Sequence, residues 1–109
     1  MAAGYAVAQI YRYRIMARLE HLHKVEYVEY IPPVDKMKQG VLYVSLEFCT
    51  AAHLCACGCG QQSVTPLGGE HGWQYNSNGV QVTLAPSILN TNCPNRAHYF
   101  IRDSKIIWV

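Results

Sequence analysis

The stretch "HLCACGCGQ", residues 53 to 61, places cysteines at positions 55, 57 and 59 with glycines between and behind them. In an extended chain such alternate thiols stand on one side, roughly 6.5 to 7 Å apart at successive positions, and Gly58 lets the backbone turn and draw them closer. Neighbouring members could hardly bridge one another without strain. Tetrahedral zinc takes four such ligands at about 2.3 Å, so the segment asks for a fourth donor from elsewhere in the chain. Cys93, in the turn-rich "NTNCPNRAH", is the natural candidate because Pro94 and Asn95 favour a tight loop, and His98 competes with it. The plain alternative is a set of reduced thiols in a core. Glycines beside three alternating cysteines make a poor core and a good metal loop. Four thiolates leave no open position for water, so the zinc expected here is structural. Cys49, in "SLEFC", reads as an ordinary core residue.

With 109 residues, half of them apolar and 11% aromatic, the chain suffices for one modest core and not for two. Only 15% of residues are charged and the net charge is +2, with no basic cluster denser than "RYRIMAR". Counterion release onto nucleic acid would be weak, and a nucleic-acid partner is not indicated. No apolar run approaches the roughly 20 residues that span a bilayer. The basic residues follow the mildly apolar "MAAGYAVAQI" instead of preceding it, the wrong order for a secretory signal. The expectation is a soluble, cytoplasmic protein without a membrane partner. In that reducing compartment an odd count of five cysteines, three of them crowded together, favours metal over disulfides.

The rest of the chain punctuates itself as β structure. Residues 1–23 read as an N-terminal extension or helix, and residues 24–109 as a zinc-binding β domain. "KVEYVEYIPP" and "VLYVSLEF" have the β-branched and aromatic bias of strands, joined by the polar "VDKMKQG". "SVTPL", the "GGEHG" turn, "WQYNSNGVQVTLAPSI" and "AHYFIRDSKIIWV" follow. Asn78-Gly79 is a two-residue hairpin signal, and "RDSK" marks a second turn. About six or seven short strands, with turns roughly every 8 to 12 residues, predict a mainly β fold: a small antiparallel sheet or partly open barrel carrying the Cys-rich loop.

"LYVSLE", "AHLCACGCG", "VTPL", a Trp, "VTLAPSI" and a "C-x-x-x-A-H-Y-F-I" ending in "IIW" together carry a resemblance. Over about residues 24 to 108 the chain resembles a small bacterial family, first catalogued as a domain of unknown function. That family is encoded beside ubiquitin-like proteins and their activating and conjugating enzymes. The resemblance implies a zinc-containing accessory protein of a ubiquitin-like pathway, a protease that trims or removes the modifier. Its partner would be the modifier's C-terminal tail, and the operon's activating or conjugating enzymes would be further partners. The family pattern reads Ser-His-Tyr where this chain has Ala97-His98-Tyr99, and Gly-Asn after Pro-Ser-Ile where this chain has Leu89-Asn90. The resemblance thus makes Ala97 the place of a missing serine nucleophile, in an inactive or substrate-trapping form.

A hydroxyl nucleophile needs a base within hydrogen-bond reach and a group to orient that base. Positions 97 and 98 of a strand point to opposite faces, so His98 is an awkward base for residue 97. His53, two residues before Cys55, would be fixed by the metal loop, and Glu47 on the preceding strand would orient it. His98 then completes the metal site or serves another hydroxyl, such as Ser87 in "LAPSI". Each has an ordinary counterpart: a satisfied structural histidine, a solvent-facing carboxylate, a serine capping a turn. The aromatic residues Tyr43, Trp73, Tyr75, Tyr99, Phe100 and Trp108 read as core and rim, a subset of which would suit an extended peptide added as an edge strand. Three readings follow: a zinc-stabilised serine peptidase, a zinc metallopeptidase with Glu47 as base, and a non-catalytic zinc-ribbon-like module that binds a ubiquitin-like protein or its enzymes.

Overall fold

In the computed structural model, which describes residues 18–109, the short alternating segments become eight strands in two four-stranded sheets. The first sheet is β1 (Lys24–Tyr27), β2 (Val41–Ser45), β3 (Thr50–Leu54) and β4 (Gln62–Pro66), neighbours in that order. The second is β5 (Gln74–Ser77), β6 (Val82–Leu89), β7 (His98–Arg102) and β8 (Lys105–Trp108), also in sequence order. Every pair is antiparallel except β1–β2, which is parallel. A parallel pair needs a crossover; here residues 28–40 supply it, with a 3₁₀ turn at Val34–Lys36.

That crossover explains why β2 is buried along its whole length. On one face Met37, with Val28 and Ile31, covers Val41, Tyr43, Ala52 and Leu54. On the other, Leu42 and Val44 join Ala51 and the inward residues of the second sheet, among them Leu84, Ile88, Tyr99 and Ile101, in the principal core. Leu19 and Leu22 also enter that core. Residues 18–23 are not helical: Leu19 N–H donates to the Ala56 carbonyl at 2.6 Å, and His21 bridges Lys105. The remainder of the expected extension or helix, residues 1–17, lies outside the described residues.

Alternation is cleanest in β7, where Tyr99 and Ile101 are fully buried between His98, Phe100 and Arg102. In β4 it is inverted in chemistry, because Ser63 and Thr65 face inward and Val64 outward. Both hydroxyls are partnered, Thr65 Oγ1 donating to the Ala51 carbonyl at 3.0 Å and Ser63 Oγ to Asn90 Oδ1 at 2.8 Å, as buried polar groups require. The turn expected at "RDSK" is a two-residue hairpin loop between β7 and β8, with Asp103 and Ser104 at φ +51° and +61°. The β5–β6 connection spans four residues instead of the expected two. Asn78 N–H donates to the Gln81 carbonyl, and Asn78 Oδ1 accepts from the Val80 and Gln81 N–H groups, so its side chain holds a wider loop.

Candidate functional site: a serine–histidine pair beside four cysteines

The β3–β4 loop turns on itself: Gly58 N–H donates to the Cys55 carbonyl at 3.1 Å and Cys55 N–H to the Gln61 carbonyl at 2.8 Å. Gly58 and Gly60, at φ +89° and +84°, take the left-handed conformation that glycine adopts without a steric penalty. From the second sheet, the β6–β7 loop brings in Cys93, whose N–H donates to the Asn90 carbonyl and whose own carbonyl accepts from Arg96 N–H. The Sγ atoms of Cys55, Cys57, Cys59 and Cys93 lie within 4.8 Å of one another, with Cys57–Cys93 at 3.2 Å and Cys55–Cys57 at 3.5 Å. Four sulfurs on a tetrahedral ion at about 2.3 Å would sit roughly 3.8 Å apart, a spacing within that range, so the four thiols can hold a metal ion. Burial pushes the Cys59 thiol up to about 11 and that of Cys55 further still. At Cys93 burial also raises the thiol, but hydrogen bonds from the backbone of Ala97 and Asn95 and from Cys57 outweigh it and bring it down to about 7.

Next to this cluster Tyr99 gathers three partners. Its hydroxyl accepts from Ala56 N–H at 3.3 Å and from Asn90 Nδ2 at 3.2 Å, and lies 2.6 Å from His53 Nε2. With two donors already aimed at the oxygen, its own hydrogen goes to Nε2, and the His53 ring proton sits on Nδ1, which is buried without a partner. Burial brings His53 down from 6.5 to about 4, so the ring is neutral. Its Nε2 is taken by Tyr99 and its unpartnered Nδ1 is buried, so neither nitrogen faces solvent.

The opposite face of the β6–β7 pair carries a serine and a histidine in contact. Ile88 pairs with Tyr99 and Leu89 with His98, whereas further along Leu84 pairs with Ile101, so β6 spends four residue steps where β7 spends two. Pro86, which has no N–H for the ladder, lies inside this irregular stretch. Beyond it, alternation sends Ile88 and Tyr99 inward and Ser87 and His98 outward, diagonal neighbours on one face. Ser87 Oγ lies 2.9 Å from His98 Nε2, the reach a base needs to take a hydroxyl proton. Leu89, 47% exposed, pairs directly with His98 and lies beside the pair as apolar ground. A cleft of about 370 Å³ opens beside His98.

The family model for the bacterial ubiquitination-like system serine protease, BubE, matches residues 27–109. The chain belongs to the BubE family. No curated protein and no solved structure matches it. The match covers the whole of the crossover, the smaller core cluster, the buried members of the principal core apart from Leu19 and Leu22, and the Cys-rich and Ser–His elements.

Within this BubE fold the residues singled out from the sequence separate. The four cysteines come together, and His98 faces Ser87 and stands apart from them. Glu47 is exposed in the β2–β3 turn, not on a strand beside His53, because β2 ends at Ser45, whose Oγ donates to the Glu29 carbonyl and accepts from Phe48 N–H. Ala97 lies buried just before β7, in the loop, and its carbonyl accepts from Asn90 N–H. Cys49 is exposed at φ +49° at the end of the same turn and is not a core residue. The sequence offers Ser87–His98 only as a secondary pairing, and Pro86 beside Ser87 is its one signal that the strand is irregular there.

Proposed function

We propose that the chain is a serine-type peptidase that cuts at the C-terminal tail of a ubiquitin-like protein, with Ser87 as nucleophile and His98 as its base. The observation that carries this is the 2.9 Å contact between Ser87 Oγ and His98 Nε2, both half-buried, in a chain of the BubE family. Ser87 Oγ attacks the carbonyl carbon of the scissile bond while His98 Nε2 takes its proton. The imidazolium then returns that proton to the departing amine, and water, deprotonated by the same nitrogen, releases the acyl group. On this reading the chain carries its nucleophile, and Ala97 is a loop residue with no part in the chemistry.

Cys55, Cys57, Cys59 and Cys93 would hold a zinc ion, which would serve there as a structural anchor. Four sulfur donors leave it no position for substrate, which argues against the metallopeptidase reading. The anchor acts through the loop of residues 90–97, which joins the strand of Ser87 directly to the strand of His98 and ties it to the first sheet. Among the described residues no helix is long and apolar enough to cross a membrane.

The test is active-site labelling. A fluorophosphonate probe should attach once, on the peptide that contains Ser87, and His98→Ala should suppress labelling at least about a hundredfold. Absence of a label on Ser87, or a label that survives loss of His98, would overturn the assignment.

A further inference from the structure

β6 is eight residues long, and β5 accompanies only its first half, the last pair between them being Gln74–Ala85. Upstream of Gln74 the chain leaves β6 for the first sheet: Trp73 N–H donates to the Pro66 carbonyl and the Trp73 carbonyl accepts from Gly68 N–H, both at 2.8 Å. Among the described residues, no strand lies beside residues 86–89 on that side. Main-chain polar groups along an antiparallel strand turn to alternate sides. Asn90 N–H donates to the Ala97 carbonyl, towards β7, so Leu89, and Ser87 two residues before it, turn theirs away from β7 and into the gap. The second half of β6 is thus an open strand edge, of the kind that pairs with another extended chain.

The gap has a second wall. β4 is the last strand of the first sheet, and its Gln62 and Val64 line a narrow groove of about 160 Å³ with Ile88, Leu89, Trp73 and the loop that carries Cys93. Val64 and Leu89 are both exposed. Ser87 stands directly before the two β6 residues of that wall, and its Oγ must come within about 3.5 Å of the carbonyl carbon it attacks. The open edge is therefore unpaired main chain that adjoins the nucleophile. From this juxtaposition, and resting on the Ser87–His98 reading, we infer that the substrate enters as a strand: an extended segment next to the cleaved bond continues the line of β5 and pairs through its main chain with Ser87 and Leu89, with β4 as the far wall. Such a site selects an extended tail with free main-chain groups in preference to any one side chain.

Synthetic peptides spanning the processing junction of the ubiquitin-like precursor from the same operon test this, each with one amide replaced by an ester, which removes a single N–H without adding bulk. Calorimetric titration into the Ser87→Ala chain gives binding without turnover, and the wild-type chain gives kcat and KM. Affinity should fall about fivefold at every second ester over a run of residues on one side of the cleaved bond, and stay level at the esters between. Leu89→Pro removes the N–H that faces the gap and no bond of the β6–β7 ladder. It should weaken binding of the all-amide peptide about fivefold and raise KM more than it lowers kcat, with Tm and metal content unchanged. Should that variant not fold, the ester series decides alone. Losses that do not alternate, or no loss at any ester, would overturn the inference, as would a folded Leu89→Pro chain that binds like its parent. Activity that persists in Ser87→Ala would instead overturn the nucleophile assignment, and the ester series would still decide whether the peptide lies along β6.

Discussion

Tyr99 does two things at once: its ring fills the principal core, and its hydroxyl joins His53, Ala56 and Asn90. Tyr99→Phe keeps the ring and strands those groups, so it should cost about 2 kcal/mol by urea denaturation. His53, brought from 6.5 to about 4 by burial, gives this region an acid sensitivity of definite sign. Its folded-state value is depressed, so the stability is present above about pH 6.5. As pH falls towards 4 the unfolded chain binds a proton that the folded one refuses, and the stability is lost. Between about pH 7 and pH 5 the wild-type chain should lose about 2 kcal/mol more than His53→Gln; identical losses would contradict a buried neutral imidazole. The sequence made His53 look reactive because it adjoins the cysteine loop, yet strand alternation turns it into the core. Ser87 and His98 become partners only once the irregular register of β6 against β7 is known, and no local pattern reports register.

At the level of elements, the strands read correctly from the sequence are those with β-branched or aromatic alternation, such as "HYFI" and "QYNS". β3 was hidden. Its "TAAHL" is nearly all buried and alanine-rich, so it lacks both the alternation and the propensity that mark a strand. The parallel β1–β2 pair was equally illegible, because the polar connection gave no sign of crossing the sheet. The β4–β5 connection joins the two sheets through a turn in which Leu67 bridges Trp73 and Trp73 N–H donates to the Pro66 carbonyl. A Cβ on Gly72 would lie 1.9 Å from the Gly68 carbonyl oxygen. Gly72→Ala must therefore open that turn and should lower stability by about 2 kcal/mol or more while leaving metal content unchanged. Urea titration with metal analysis of the same samples checks both halves.

Across the whole molecule, the four cysteines add a link between the sheets to that of the shared core: three thiols come from the β3–β4 loop of one and the fourth from the β6–β7 loop of the other. This was the part of the site most legible in the sequence, since the Cys–Gly alternation serves few other purposes. The chain should bind one zinc, measurable by elemental analysis of the purified protein. Because structural metal binding is coupled to folding, chelation strong enough to remove it should lower Tm by more than about 10 °C. Cys93→Ser should lose the metal and most activity together, since the loop that carries it joins the strand of Ser87 to the strand of His98. The central claim is that Ser87 is the nucleophile of this chain. The most direct measurement is the intact mass of the operon's ubiquitin-like precursor after incubation with the wild-type, Ser87→Ala and Ala97→Ser proteins. The account predicts a truncated product from the wild type and from Ala97→Ser, and none from Ser87→Ala. Cleavage by Ala97→Ser alone, or by Ser87→Ala, would contradict it.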